Sequence, residues 1–224
     1  MTNPHLDTRR HDELFNADAF NTPVTVIGAG ATGSWLVLQL AKLGITDITV
    51  WDFDIVEPHN APNQLFAWGD TGKPKVEALQ EIVKHQTGWE IKIRNERYVN
   101  TPLSGYVFCM IDTMEGRKSI WNNAIKFKPL VKHYIEPRMG LDVARVYNLS
   151  PMDFPSHAPY EATLYGDDVA EVSACGTSMT VITSALVTAA WCVRQMIEVE
   201  KGRPVAHEIL MDLQNNQIYP TVWK

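Results

Sequence analysis

Three glycines, Gly28, Gly30 and Gly33 in VIGAGATGS, open the part of the chain where chemistry can be done. They fit G-x-G-x-x-G directly after an apolar run and directly before a helical pattern. In that context glycines permit a tight turn, close approach of backbone N–H groups to phosphate, and close packing of helix on strand. The helix start adds a partial positive charge. A phosphate-bearing nucleotide is the functional reading; a tight structural turn is the bland one. Asp52, ending the next apolar run, is placed to accept hydrogen bonds from a ribose hydroxyl, which alone would favour NAD. A hydride-transfer site has no need for the residues downstream of it: Asp54, Val56, Glu57, Asn60 and Gln64 in close succession, then Gly72-Lys73-Pro74-Lys75, then Asp112. A lysine offsets the charge of a triphosphate, and a carboxylate holds Mg²⁺, which takes oxygen ligands and bridges phosphate oxygens. Singly, Lys75 reads equally well as an exposed helix residue and Asp112 as a helix N-cap. Jointly they point to ATP with Mg²⁺.

The elements that must position these groups alternate. VTVIG is a short strand, residues 33–43 a helix packed on a sheet, and ITDITVWDFD a second strand, a unit whose crossover makes the strands parallel. Residues 73–87 read as a helix, 90–97 as a strand, 106–111 as a buried strand running into Asp112, 115–127 as a helix, and PLVKHYIE as a further strand. This order predicts an α/β fold, a doubly wound, Rossmann-like, mostly parallel sheet with helices on both faces. From about 149 to 175 the chain has three prolines, two adjacent aspartates and no clear period, and reads as a loop crossing over the site. A long helix, about 177–200, and a hairpin of HEILMDL and QIYPTVW complete the chain.

The 224 residues suit one domain with an N-terminal arm over 1–22. The N-terminus lacks the apolar segment of a signal peptide, and no stretch approaches the roughly 18–20 apolar residues of a membrane span, so a cytoplasmic protein is expected. A net charge of −6 gives no general attraction for nucleic acid, and the basic run Lys92 to Arg97 reads as the solvated face of a strand. The three cysteines, Cys109, Cys175 and Cys192, have no CxxC or CxxH spacing, so no zinc site is expected. Cys109 and Cys192 read as core residues, and His133 as a strand residue with a hydrogen-bond partner rather than a base. The aromatic and methionine residues of the long helix read as core or dimer surface.

VIGAGATGS, WDFDIVEPHNAPNQ, GKPKVEAL and MIDTMEGR, in this order and at approximately this spacing over about residues 9–201, resemble the ThiF/MoeB/HesA superfamily, bacterial relatives of ubiquitin-activating enzymes. The resemblance implies that Gly28, Gly30 and Gly33 line the phosphates, Asp52 holds the ribose, Asn60 and Lys75 contact the triphosphate, and Asp112 binds Mg²⁺. Asp54, Asn63, Gln64 and Arg117 fall at nucleotide-site positions of the same motifs. The implied reaction is adenylation: the C-terminal carboxylate of a ubiquitin-like or sulfur-carrier protein, or of a peptide, attacks the α-phosphate of ATP and expels pyrophosphate. Positioning and charge neutralisation supply most of such catalysis.

Three departures stand out. Relatives usually carry arginine where this chain has Asn63; Arg9 or Arg10 is then the candidate for the arginine that relatives send from the arm into a partner subunit, which requires a homodimer. The zinc-holding CxxC pairs of many relatives are missing, which implies a short, zinc-free variant. Cys175, expected at the end of the crossing loop, is the candidate for carrying the product as a thioester, with a small packing residue as its alternative. Two other functions compete: an activating-enzyme-like scaffold without turnover, suggested by Asn63 and the lack of zinc, and an NAD-dependent oxidoreductase, which would leave Lys75 and Asp112 idle.

Overall fold

The run at 24–27 is buried at every position, as a strand covered on both faces of a parallel sheet must be. A computed structural model describes residues 3–166 and 180–224. Its eight strands are β1 (Val24–Ile27), β2 (Ile48–Trp51), β3 (Lys92–Arg94), β4 (Gly105–Cys109), β5 (Val131–Met139), β6 (Val143–Leu149), β7 (Glu208–Asp212) and β8 (Gln217–Thr221). They form one sheet in the order β3-β2-β1-β4-β5-β6-β7-β8. The first five run parallel and the last three antiparallel. The chain steps from β1 to β2 and β3 on one side, then crosses to β4 on the other. The crevice at the carboxyl ends of β1 and β4 is therefore the switch point at which doubly wound sheets bind ligands.

The helices are α1 (Ala31–Lys42), α2 (Lys75–Thr87), α3 (Met114–Ile120), α4 (Phe154–Ala162) and α5 (Ile182–Glu200), with a π-helical turn at Trp121–Ile125. Alternate residues of each strand feed two cores. Val24 and Val26, with Tyr106 and Phe108, pack under α1, α2 and α5; Ile27, Val107 and Cys109 pack under α3 and α4 with Trp121 and Tyr160. The expected helices on both faces are thus present. No helix among the described residues is long and apolar enough to cross a membrane.

Several elements differ from expectation. Residues 149–175 are not a continuous loop, because Phe154–Ala162 is helical. Pro155 lies in its first turn, where the missing N–H costs nothing, and Tyr160 is fully buried on its inner side. The strand β6, which the sequence reading does not separate from its surroundings, pairs with β5 through a tight connection. The edge strand β3 stops at Arg94, short of the expected 97. The N-terminal arm packs on its own chain: Phe15 and Ala17 are buried, and the Asn3 side chain donates to the Thr87 carbonyl at 3.0 Å.

Candidate active site

The glycine turn is built by steric exclusion at two positions and open space at the third. Gly28 has φ +102°, and a Cβ there would lie 2.8 Å from the Met110 carbonyl group. At Gly33 a Cβ would lie 2.0 Å from the Gly28 carbonyl oxygen. At Gly30 it would meet nothing within 4 Å. Gly30 is the N-cap of α1, with no side-chain cap and no acidic residue in the first turn. The positive end of a twelve-residue helix thus faces a space that none of the described residues fills.

Asp52 closes one side of this turn. Its Oδ2 accepts the Ala29 N–H at 2.6 Å and its Oδ1 the Asp54 N–H at 2.8 Å. Each oxygen keeps a second lone pair for a ligand hydroxyl. Burial pushes the Asp52 pKa up, against the pull of these two N–H groups and of nearby Lys75. Beyond it the chain pairs with itself: Val56 N–H reaches the Lys73 carbonyl at 2.8 Å and Lys75 N–H the Asp54 carbonyl at 2.9 Å. This short ladder fixes the start of α2 against the end of β2. Lys75, 9% exposed in its side chain, is aimed at Asp54 with Nζ 2.9 Å from Oδ2. Phe53, between the two aspartates, is 49% exposed, and the Arg97 guanidinium lies 4.1 Å from its ring centroid. Arg97 lies beyond β3 and stacks here instead of lining a strand face, which no spacing in the sequence reveals.

Asn60 is buried, and its Oδ1 accepts the Glu57 N–H at 2.9 Å, which fixes the side chain and leaves its amide N–H groups for a ligand. Asn63 donates from Nδ2 to the Thr180 hydroxyl. Its Oδ1 and the Gln64 Oε1 are buried without a hydrogen-bond partner among the described residues. These two nucleotide-site positions therefore hold enclosed acceptors, which suit a donor rather than an anion. Asp112 is exposed three residues past β4, beside the Met110 backbone that abuts Gly28. A lone open carboxylate fits a Mg²⁺ whose other ligands are phosphate and water oxygens. The described residues hold no group of three or more His, Cys, Asp or Glu able to bind a metal by themselves.

Two expected residues are placed elsewhere. Arg117 is not in the opening: it is 7% exposed, with Nη2 bound to the carbonyls of Ile111 at 2.6 Å and Pro137 at 3.3 Å. Its neighbour Glu136, fully buried on β5, is absent from the expected set; an acidic residue inside the apolar run VKHYIEPRM is the signal that could have found it. Arg10 is exposed. His11, next to it, reaches the Leu43 carbonyl at the C-terminal end of α1, a helix length of about 18 Å from Gly30. Arg9 is paired with Asp7. Cys175 lies outside the described residues, whereas Cys109 and Cys192 are buried and His133 bonds the Asn148 side chain at 2.7 Å, as expected.

Residues 3–133, more than half of the chain, match the ThiF family, and the protein belongs to that family. Its fold is that of the E1-like adenylating enzymes, a family whose adenylyltransferases use ATP. It is 31% identical to the NEDD8-activating enzyme E1 catalytic subunit of Caenorhabditis elegans over 112 residues, which is 47% of this chain and 26% of that one. It is 44% identical to the tRNA threonylcarbamoyladenosine dehydratase of Haemophilus influenzae over 62 residues, 27% of this chain and 24% of that one. The matched stretches thus span about a quarter of these relatives' length. Among solved structures, E. coli MccB with AMPCPP and MccA superposes with a TM-score of 0.69 at 17% identity, covering 91% of this chain and 64% of that one. PaaA does so with 0.71 at 17%, covering 99% and 76%.

Proposed function

We propose that the protein adenylates a C-terminal carboxylate, that of a small ubiquitin-like or sulfur-carrier protein or of a peptide, using ATP. A carboxylate oxygen attacks the α-phosphorus, the bond from that phosphorus to the bridging oxygen breaks, and pyrophosphate leaves with the electron pair. The observation that carries this reading is the uncapped helix start at Gly30, where a Cβ would meet none of the described residues within 4 Å, with buried Lys75 near Asp52, whose Oδ2 holds the adjacent Ala29 N–H. A triphosphate laid along it would receive the α1 N–H groups, the Lys75 ammonium and the Asn60 amide. The ribose would meet Asp52, and the half-exposed Phe53 ring offers a flat surface for the base. Asp112 would hold Mg²⁺, which when bound supplies charge neutralisation at the leaving phosphates.

MccB crystallised with the peptide MccA, and with ATP, supports a peptide as one form of the substrate, and the NEDD8-activating relative supports a ubiquitin-like protein. Because Arg10 lies at the far end of α1 from its own Gly30, an arginine from the arm reaches a site only across a homodimer, for which light scattering should give a mass near twice 25.3 kDa. A cytoplasmic location and a thioester at Cys175 belong to the same reading. Calorimetry with ATP and Mg²⁺, ATP and chelator, and NAD tests it. Magnesium-dependent ATP binding without NAD binding is expected; NAD binding alone would return the site to a dehydrogenase, and binding of neither would leave a scaffold.

A further inference from the structure

Glu136 is a fully buried carboxylate that the proposed chemistry does not use. Its Oε1 accepts from Arg138 Nε at 2.6 Å and lies 3.3 Å from Arg117 Nε, the second at an angle too poor for a hydrogen bond. The Tyr160 hydroxyl donates to its Oε2. The two arginines then diverge. Arg138 sends Nη1 to the Thr163 carbonyl at 2.6 Å, at the end of α4. Arg117 sends Nη2 to the Ile111 carbonyl at 2.6 Å.

The Ile111 carbonyl shares one rigid peptide plane with the N–H of Asp112. Gripping that oxygen fixes the plane from which the Asp112 side chain leaves the backbone. A guanidinium is a planar fork, and Glu136 sets where the Arg117 fork sits. Burying such a cluster adds little net stability compared with apolar packing, so its use lies in the geometry it imposes.

We propose that Arg117 and Glu136 are positioning residues that orient Asp112 toward the metal on the bound triphosphate. Arg117, whose motif position put it among the nucleotide-site residues, acts instead from beneath through the Ile111 peptide. This rests on the nucleotide reading above and adds to it.

Two measurements separate the two ideas. The first is calorimetric ATP affinity with Mg²⁺ and with chelator, for the wild type, Asp112→Ala, Arg117→Lys, the double variant Asp112→Ala/Arg117→Lys, and Arg138→Lys. In Arg117→Lys the affinity gained from Mg²⁺ should fall about tenfold, the lower end of what loss of an outer-shell partner costs, while affinity in chelator is unchanged. The double variant should be no worse than Asp112→Ala alone. Arg138→Lys, which disturbs the same cluster without touching Ile111, should keep the gain. Where Arg117→Lys fails to fold, Glu136→Gln, of the same shape, takes its place with the same expected loss.

The second is amide hydrogen exchange at residues 111–113 in the ligand-free protein, which should quicken in Arg117→Lys and not in Arg138→Lys. A wild type with no magnesium-dependent ATP binding refutes the nucleotide reading. A wild-type gain that survives intact in Arg117→Lys, an equal loss in Arg138→Lys, additive losses in the double variant, or unchanged exchange at 111–113 overturns the positioning role alone.

Discussion

Gly30→Ala and Gly33→Ala place the same methyl group three residues apart and should fail in opposite ways. At Gly33 the new carbon would sit 2.0 Å from the Gly28 carbonyl oxygen, more than about 1 Å inside an ordinary C···O contact of roughly 3.3 Å. Helix and strand must separate, and overpacking of this kind costs about 1–3 kcal/mol or more, offset by about 1 kcal/mol from better helix propensity. An approach this close belongs at the upper end of that cost, about 2 kcal/mol net, so with about 2–4 °C per kcal/mol for a chain of this size Gly33→Ala should melt about 4–8 °C below wild type. At Gly30 the methyl meets nothing within 4 Å, φ is −76°, and only the weaker N-cap counts, about 1 kcal/mol at most. Its melting temperature should stay within about 4 °C of wild type. Thermal melts with and without Mg-ATP complete the comparison. At a hundred times Kd the nucleotide adds about 2.7 kcal/mol, roughly 5–10 °C, to the wild type. Gly30→Ala should lose that increment because its methyl occupies the phosphate opening. A Gly30→Ala protein that keeps the full increment would refute the placement of phosphate at α1, and a Gly33→Ala protein as stable as wild type would refute the packing argument.

Replacing Lys75 by Met leaves Asp54, 49% exposed in its side chain, still solvated, so stability should change by no more than about 1 kcal/mol. Mg-ATP affinity by calorimetry should drop at least about tenfold, the cost of losing one charged contact to phosphate, and unchanged affinity would remove Lys75 from the site. Asp52 has a folded pKa raised by burial above 3.8. Its contribution to stability is therefore present below 3.8 and lost as pH rises through the folded value. Nucleotide binding needs the carboxylate and should show the reverse, weakening as pH falls through that value. An Asp52→Asn variant should lack this step, and an identical step in that variant would assign it elsewhere. Burial pushes His133 below its ordinary 6.5 despite its bond to Asn148. Its contribution is present above 6.5 and lost as pH falls toward the folded value. The decline in melting temperature from about pH 7 to about pH 5 should be shallower in His133→Gln, and an equal decline would clear His133 of it.

The parts of the fold governed by local pattern were legible in the sequence: the strand, glycine turn and helix around Gly28, the buried run ending at Asp112, and the terminal hairpin. The missed parts are those where tertiary packing overrides a local signal. Pro151, Pro155 and Pro159 make 149–163 read as a loop, yet Tyr160 in the core holds α4 together. The alternation in VARVYNL was available, but its apolar positions fill only because β5 and β7 flank it. At the site, the residue types of Asp52, Lys75 and Asp112 suggested the nucleotide reading proposed above, while the orientation of Arg117 was not legible, since motif spacing says nothing about which side of a turn a long side chain takes. Asn60 shows the same limit: its carbonyl end caps its own turn, an orientation that motif spacing does not reveal.

The two described cysteines carry a practical consequence. Cys109 and Cys192 are sealed in the core, where burial raises both thiols, Cys109 to about 11, so neither forms the thiolate that alkylating reagents attack near neutral pH. The chain has three cysteines in all. Any maleimide or iodoacetamide label taken up by the folded chain therefore reports on Cys175 without prior mutagenesis. A fluorophore introduced in this way would follow the surroundings of that one residue in the native sequence during a titration with Mg-ATP.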